Sequence, residues 1–167
     1  MQRPSVSIRK SDYERALKVA DKFNIAAQAR PGRKVAAVLH DAVDFLGGTL
    51  GEISNGNTIV TGSGWHGPDS FLDKQIATTI AREKSSTDHL TGDVAVSLLK
   101  RDKAVLSDIR KTFGLSSDKQ AAGLALRVYA SLTDGLWRGN GFSYENSNNT
   151  PALGADKIRN KLFPQTP

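Results

Sequence analysis

The residues best suited to chemistry lie in a short polar and basic segment near the N-terminus, SVSIRK. Ser5, Ser7 and Arg9 alternate there with a valine and an isoleucine, which is the pattern of a strand with one polar face and one buried face. Hydroxyl and guanidinium groups on one face can donate several hydrogen bonds to a partner. A lone terminal strand cannot cover its own apolar face, so this segment must pair with another strand.

The histidines are the next candidates, because the chain contains no cysteine. The absence of cysteine excludes disulfides, cysteine-type zinc sites and thiol nucleophiles. His40, His66 and His89 lack the ligand spacing of a metal site, and neither a nucleophile motif nor a phosphate-binding loop accompanies them. We therefore predict no metal and no cofactor, and an enzyme that uses His66 is the weakest of three functional hypotheses.

Charge is unevenly distributed along this basic chain, which has a formal net charge of +6. Residues 1–47 carry a net +4, residues 48–93 a net −3, residues 94–136 a net +3 and residues 137–167 a net +2. Two basic blocks that flank an acidic one predict a surface that binds a polyanion.

The hydropathy pattern gives no sign of a membrane segment. No window reaches the roughly 18 consecutive apolar residues of a membrane span. The N-terminal residues MQRPSVSIRK also lack the apolar core of a signal peptide. We expect a cytoplasmic protein, associated with the nucleoid or a plasmid, that has no membrane partner.

An internal repeat gives the opening strand a partner. When the chain is shifted by 90 residues, VSIRKSD at 6–12 aligns with VSLLKRD at 96–102, and Phe23 falls on Phe113. Each copy has the pattern of a strand, a helix, a break and a second helix. The second helices carry apolar stripes at helical spacing: Val35, Val38, Leu39, Ala42, Val43 and Leu46 in copy one, and Leu124, Ala125, Val128, Tyr129, Leu132 and Leu136 in copy two.

Residues that favour helix ends occur in both copies. They are Ser11 or Asp12 and Ser116 or Ser117 as N-caps, Asn24 and Gly114 as left-handed closing residues, Pro31 in a first turn, and Gly47 with Gly48 at a C-terminus.

This duplicated plan resembles the ribbon-helix-helix superfamily of MetJ and Arc type repressors. It is similar to the tandem ribbon-helix-helix accessory proteins of conjugative and T-DNA transfer systems. The resemblance implies a mostly α fold with a short antiparallel two-stranded ribbon, built as a tandem ribbon-helix-helix pseudo-dimer with an inserted hairpin plus helix. The implied parts are copy one (1–47), a hairpin and helix connector (48–93), copy two (94–136) and a C-terminal tail (137–167), all in one intertwined domain.

The resemblance also implies two sets of residues that contact DNA. In that family, alternating residues of the two ribbon strands read bases in the major groove, and the N-termini of the second helices contact phosphates. In this chain the corresponding strands would be residues 4–9 and 94–99. The implied base-reading residues are Ser5, Ser7, Arg9, Ala95, Ser97 and Leu99. The implied phosphate-binding residues are Lys10, Arg30, Arg33, Lys34, Lys100, Ser116, Ser117 and Lys119.

These assignments imply a sequence-selective protein that binds double-stranded DNA and is monomeric without it. Because copy two offers Ala95 and Leu99 where copy one offers hydrogen-bond donors, we expect copy one to read its half-site more tightly. Transcriptional repression and an accessory role in DNA transfer would use the same contacts, so both remain open. A relaxase or another DNA-processing protein is a candidate partner in the second role.

The segments outside the repeat support the alternative hypothesis, a protein-interaction scaffold. GEISNGNTIVTG (51–62) predicts a hairpin around Asn55-Gly56, and a helix capped by Asp69 or Ser70 follows. The tail predicts a short helix in ALGADKIRNKLF. It also offers Trp137, Phe142, Tyr144 and Phe163, which we expect to pack on the core rather than to form an interaction surface.

Overall fold

A computed structural model describes residues 4–54, 58–62, 78, 81, 92–137 and 141–145 of the chain. The described part is mostly helical. Its elements in chain order are β1 (Ser5–Arg9), α1 (Lys10–Lys22), α2 (Pro31–Ser54), β2 (Thr58–Gly62), β3 (Asp93–Ser97), α3 (Lys100–Thr112), α4 (Asp118–Trp137) and β4 (Gly141–Glu145).

The opening strand pairs with the strand of the second copy, as predicted. β1 and β3 form a two-stranded antiparallel ribbon in which Val6 lies opposite Val96 and Ser5 lies opposite Ser97. Val6, Ile8 and Val96 of the ribbon are buried, and Ile8 has no exposed surface. The alternating pattern therefore correctly predicted that one face of the ribbon packs on the helices.

The first helix of each copy ends in the same backbone geometry. Asn24 and Gly114, which are 90 residues apart, both have positive φ angles, of 54° and 66°. After these residues, the N–H of Ile25 donates to the Ala20 carbonyl and the N–H of Leu115 donates to the Arg110 carbonyl, at 2.8 and 2.9 Å. Both bonds close the helix end in the way that a left-handed residue allows, so the predicted closing residues are confirmed.

The helices of the two halves pack across each other beneath the ribbon. α2 contacts α3 and α4, and β1 packs on α4, so elements on both sides of residues 58–92 share one core. The predicted stripe residues within 35–46 and 124–132 belong to this core, with Val35, Leu39, Leu124 and Val128 fully buried.

The predictions for the helix N-termini are confirmed in part. α2 begins at Pro31, and the N–H of Gln120 donates to Ser117 Oγ at 3.2 Å, so Ser117 caps α4. The prediction that Ser11 or Asp12 caps α1 is wrong. α1 begins directly after the strand, with Arg9 at the N-cap position and no side-chain cap, and Asp12 points into the core instead.

Helix α2 does not end at Gly47 and Gly48, as the sequence predicted, but runs to Ser54. Gly47 serves close packing: a Cβ at this position would clash with Val105 Cγ1 of α3. Leu50 and Ile53 continue the helical spacing of apolar residues beyond these glycines, which explains why the helix continues.

The predicted hairpin at 51–62 is also wrong. Residues 51–54 belong to α2, and β2 pairs antiparallel with β4, with Thr58 opposite Glu145 and Gly62 opposite Gly141. The strand that pairs with β2 therefore comes from the tail and not from the residues directly before Asn55-Gly56. Of the predicted helix after Asp69 or Ser70, the structure describes only residues 78 and 81, and both are helical. His66, His89, the predicted helix in 152–163 and the side chains of the tail aromatics lie outside the described residues.

Candidate nucleic-acid interface

The outer face of the ribbon carries small, exposed side chains. Ser5 and Ser7 of β1 and Ala95 and Ser97 of β3 are all exposed. Leu99 follows β3 and is 49% exposed. Small residues leave the backbone of the ribbon open to close approach by a partner, and the serine hydroxyls can both donate and accept hydrogen bonds.

Arg9 does not belong to this open face. The sequence places it in alternation with Ser5 and Ser7, but its side chain is buried and the residue is only 5% exposed. It lies opposite Asp93, at the end of the ribbon where α1 begins. Arg9 is therefore less accessible to a partner than Ser5 and Ser7, and its role in base contacts stays a prediction. Alternation fixes the side of a strand but not what packs against its last residue.

A groove of about 670 Å³ runs along β3, between the ribbon and the N-terminal half of α2. Arg30 and Arg33 line one side of the groove, and Ser97 and Leu99 line the other. Both arginines are exposed. The N-terminus of α2, in the first half of the chain, is thus brought beside the strand of the second half.

The predicted phosphate-binding residues differ in how available they are. Lys10 and Lys100 are exposed, each at the first position of the helix that follows a ribbon strand. Lys34 Nζ lies 3.0 Å from Asp21 Oδ1, and Lys119 Nζ lies 2.7 Å from Asp93 Oδ1. An anion at either of these two lysines would have to compete with a carboxylate.

The N-terminus of α4 is therefore less basic than that of α2. Ser117 is engaged as the cap, and Ser116 donates through both its N–H and its hydroxyl to Gln120 Oε1, at 2.8 and 2.9 Å. Asp118 lies 3.8 Å from Arg110. Arg30 and Arg33 lie at the N-terminus of α2, and the first turn of α2 contains no acid. The helix N-termini at the two ends of the ribbon therefore differ in charge.

His40 and Asp102, which line the groove, form a cluster with Arg101 that the sequence did not predict. His40 Nδ1 is 2.7 Å from Asp102 Oδ2, and Arg101 Nη2 is 3.2 Å from His40 Nε2. A guanidinium can only donate, so His40 Nε2 accepts from Arg101 and its Nδ1–H donates to Asp102. The contact joins α2 to α3. The repeat offered one signal of it, since Asp102 aligns with Asp12.

Asp12 makes the corresponding contact on the other side of the molecule. Its Oδ1 is 2.7 Å from Arg15 Nη1 and 3.3 Å from Arg127 Nε of α4. Both aspartates thus link a first helix of one half to a second helix of the other half. These contacts join helices on which the ribbon packs.

The described part of the chain contains neither a candidate metal site nor a candidate membrane span. No group of three or more histidine, aspartate or glutamate side chains is placed there to hold a metal ion. None of the helices described is long and apolar enough to cross a membrane. No protein-family model matches the chain, and no curated protein or solved structure matches it either.

Proposed function

We propose that this protein binds double-stranded DNA with sequence selectivity, as a tandem ribbon-helix-helix pseudo-dimer whose ribbon enters the major groove. The proposal depends most on one observation: the exposed outer face of the ribbon lies beside the exposed Arg30 and Arg33. A two-stranded ribbon fits the major groove, which is about 12 Å wide, and serine can hydrogen-bond to several base edges.

The register of the ribbon supports the pseudo-dimer. A two-fold axis through an antiparallel pair places one residue opposite its own equivalent in the other copy. Val6 lies opposite Val96, and these residues are separated by the 90 positions of the repeat. Asn24 and Gly114 are related by the same offset and share the left-handed conformation.

The charges support DNA over a neutral partner. Arg30 and Arg33 lie at the start of α2, where the helix dipole also favours an anion. Phosphates bound there would fix the position of the ribbon, and the outer side chains would then read bases. A repressor and an accessory factor in DNA transfer, with a relaxase as partner, both fit this mode of binding.

The test is duplex binding measured as a function of salt concentration. A fluorescent duplex of about two helical turns is titrated with the full chain, and the slope of log affinity against log salt is determined. Each phosphate neutralised contributes roughly −0.9 to that slope. The double variant Arg30→Ala/Arg33→Ala should have a slope shallower by about 1.8, because it loses two such contacts.

Lys18→Ala is the matched control. Lys18 is exposed on α1 and does not line the groove, so its removal takes away a positive charge without touching the proposed site. We expect its slope to stay close to that of the unmodified chain. Absence of binding, or binding that does not respond to salt, would contradict the proposal and favour the protein-interaction scaffold.

A further inference from the structure

The two ends of the ribbon offer a DNA duplex different chemistry. At one end Ser5 lies opposite Ser97, and the N–H of Leu98 donates to the Pro4 carbonyl at 2.8 Å, so the strands stay paired up to the residue before Leu99. Arg30 and Arg33 flank this end across the groove. It therefore presents two hydroxyls, one exposed leucine and two cations to a partner.

The opposite end is less open: Lys10 is exposed there, but the other two cations, Arg9 and Lys119, are buried or paired. Arg9, which is equivalent to Leu99 in the repeat, is only 5% exposed there. Its neighbour across the ribbon, Asp93, holds Lys119 at 2.7 Å. A phosphate approaching this end would meet a carboxylate and would have to displace it from the lysine.

Resting on the proposed function, we infer that the open end reads one half of an asymmetric DNA site, and that Leu99 recognises a thymine there by its 5-methyl group. The thymine methyl is the apolar feature of the major groove, and an exposed leucine cannot hydrogen-bond to the other base edges. The arginines beside Leu99 favour a polyanionic partner over an apolar one. This assignment reverses the expectation from sequence that copy one reads its half-site more tightly.

The inference names Leu99 as a residue that determines specificity, and it predicts that only one half of the DNA site is read in this way. Covering the methyl of one thymine with Leu99 removes about one CH2-sized group from water. Replacement of that thymine by uracil, which lacks only the methyl, should therefore weaken binding by about 4-fold. Replacement of thymines in the other half-site should change affinity much less.

The experiment starts with selection of binding duplexes from a library with a randomised central segment, using the full chain. In the enriched sequence, each thymine is then replaced by uracil, one position at a time. We expect the 4-fold loss at one thymine or two adjacent thymines, on one side of the site only. Leu99→Ala should bind the thymine and uracil duplexes equally, whereas Leu99→Met, which keeps an apolar contact, should retain most of the difference.

Leu99 is half exposed, so its substitution should change the stability of the fold little. Thermal unfolding of the variants checks this. If no duplex is selected and binding does not respond to salt, the proposed function itself fails, and this inference fails with it. If a site is selected but uracil is tolerated everywhere, or Leu99→Ala still distinguishes thymine from uracil, the role of Leu99 is refuted while DNA binding stands.

Discussion

Two aspartates near the starts of the first helices, Asp12 and Asp102, are among the most buried polar residues described, at 1% and 2% exposure. A buried carboxylate is costly unless it is paired and hydrogen-bonded. Asp12 is paired with Arg15 and Arg127, and Asp102 with His40. These residues therefore hold the two halves in one relative arrangement.

Removal of the charge of Asp12 should be strongly destabilising. Asp12→Asn leaves Arg127, whose side chain is 14% exposed, with its partner neutralised. We expect a loss of about 3 kcal/mol in the free energy of unfolding, measured by urea denaturation. Asp134→Asn is the matched control, because the Lys22–Asp134 pair is exposed and should contribute less than about 1 kcal/mol. Equal losses in the two variants would contradict this role for Asp12.

The buried Tyr129 should make the free energy of unfolding depend on pH. Burial, with a further contribution from the nearby charge of Asp41, raises the pKa of the Tyr129 hydroxyl in the folded state. Below about pH 10 this tyrosine is neutral in both states and has no effect on pH dependence. Above that pH the unfolded chain loses the proton and the folded chain keeps it, so stability falls as pH rises.

The corresponding test compares urea denaturation below and above about pH 10. Tyr129→Phe should lose roughly 1.4 kcal/mol less per pH unit in the alkaline range than the unmodified chain. The same alkaline slope in the two proteins would show that Tyr129 does not contribute.

At the scale of elements, the close approach of α2 to α3 depends on a glycine that the sequence alone does not explain. Glycine inside a helix usually weakens it, and a Gly-Gly pair is a common signal for a helix end. Gly47 instead leaves the space that Val105 fills, whereas a methyl group at Gly48 would meet no neighbouring atom within 4 Å. The same dipeptide thus contains one packing position and one position that is free to change.

Alanine substitutions separate these two roles. Gly48→Ala should stabilise the protein by up to about 1 kcal/mol, because alanine is the better helix former. Gly47→Ala should destabilise it by about 1–3 kcal/mol through the clash with Val105. Combining Gly47→Ala with Val105→Ala should recover part of this loss, and thermal unfolding of the four proteins measures the coupling. Similar stability for the two single variants would show that α3 yields without cost.

At the scale of the molecule, both strands of the ribbon and all four helices of the core come from one chain. Tethering raises the effective concentration of one half for the other, so pairing within the chain outcompetes pairing between chains. We expect the protein to sediment as a monomer of 18.0 kDa at micromolar concentration without DNA. A stable dimer in sedimentation equilibrium would indicate that β1 pairs with β3 of a second chain.

The sequence by itself predicted the features that depend on local preference and on repetition. Apolar alternation and helical spacing predicted the two ribbon strands and the buried stripes, because side chains must follow the period of their backbone. The pairing of β1 with β3 was predicted from the internal repeat and the family resemblance that it supports. Asn24 and Gly114 marked helix ends because few other residues adopt positive φ at low cost.

Only the tertiary structure decided which of the predicted contacts are available. The burial of Arg9, the pairing of Lys119 with Asp93 and the fit of Gly47 against Val105 each depend on residues far away in sequence. The pairing of β2 with β4, in place of the local hairpin, has the same origin. Charge and exposure at a site are set by everything that packs around it, so a one-dimensional pattern gives the side of an element but not its surroundings.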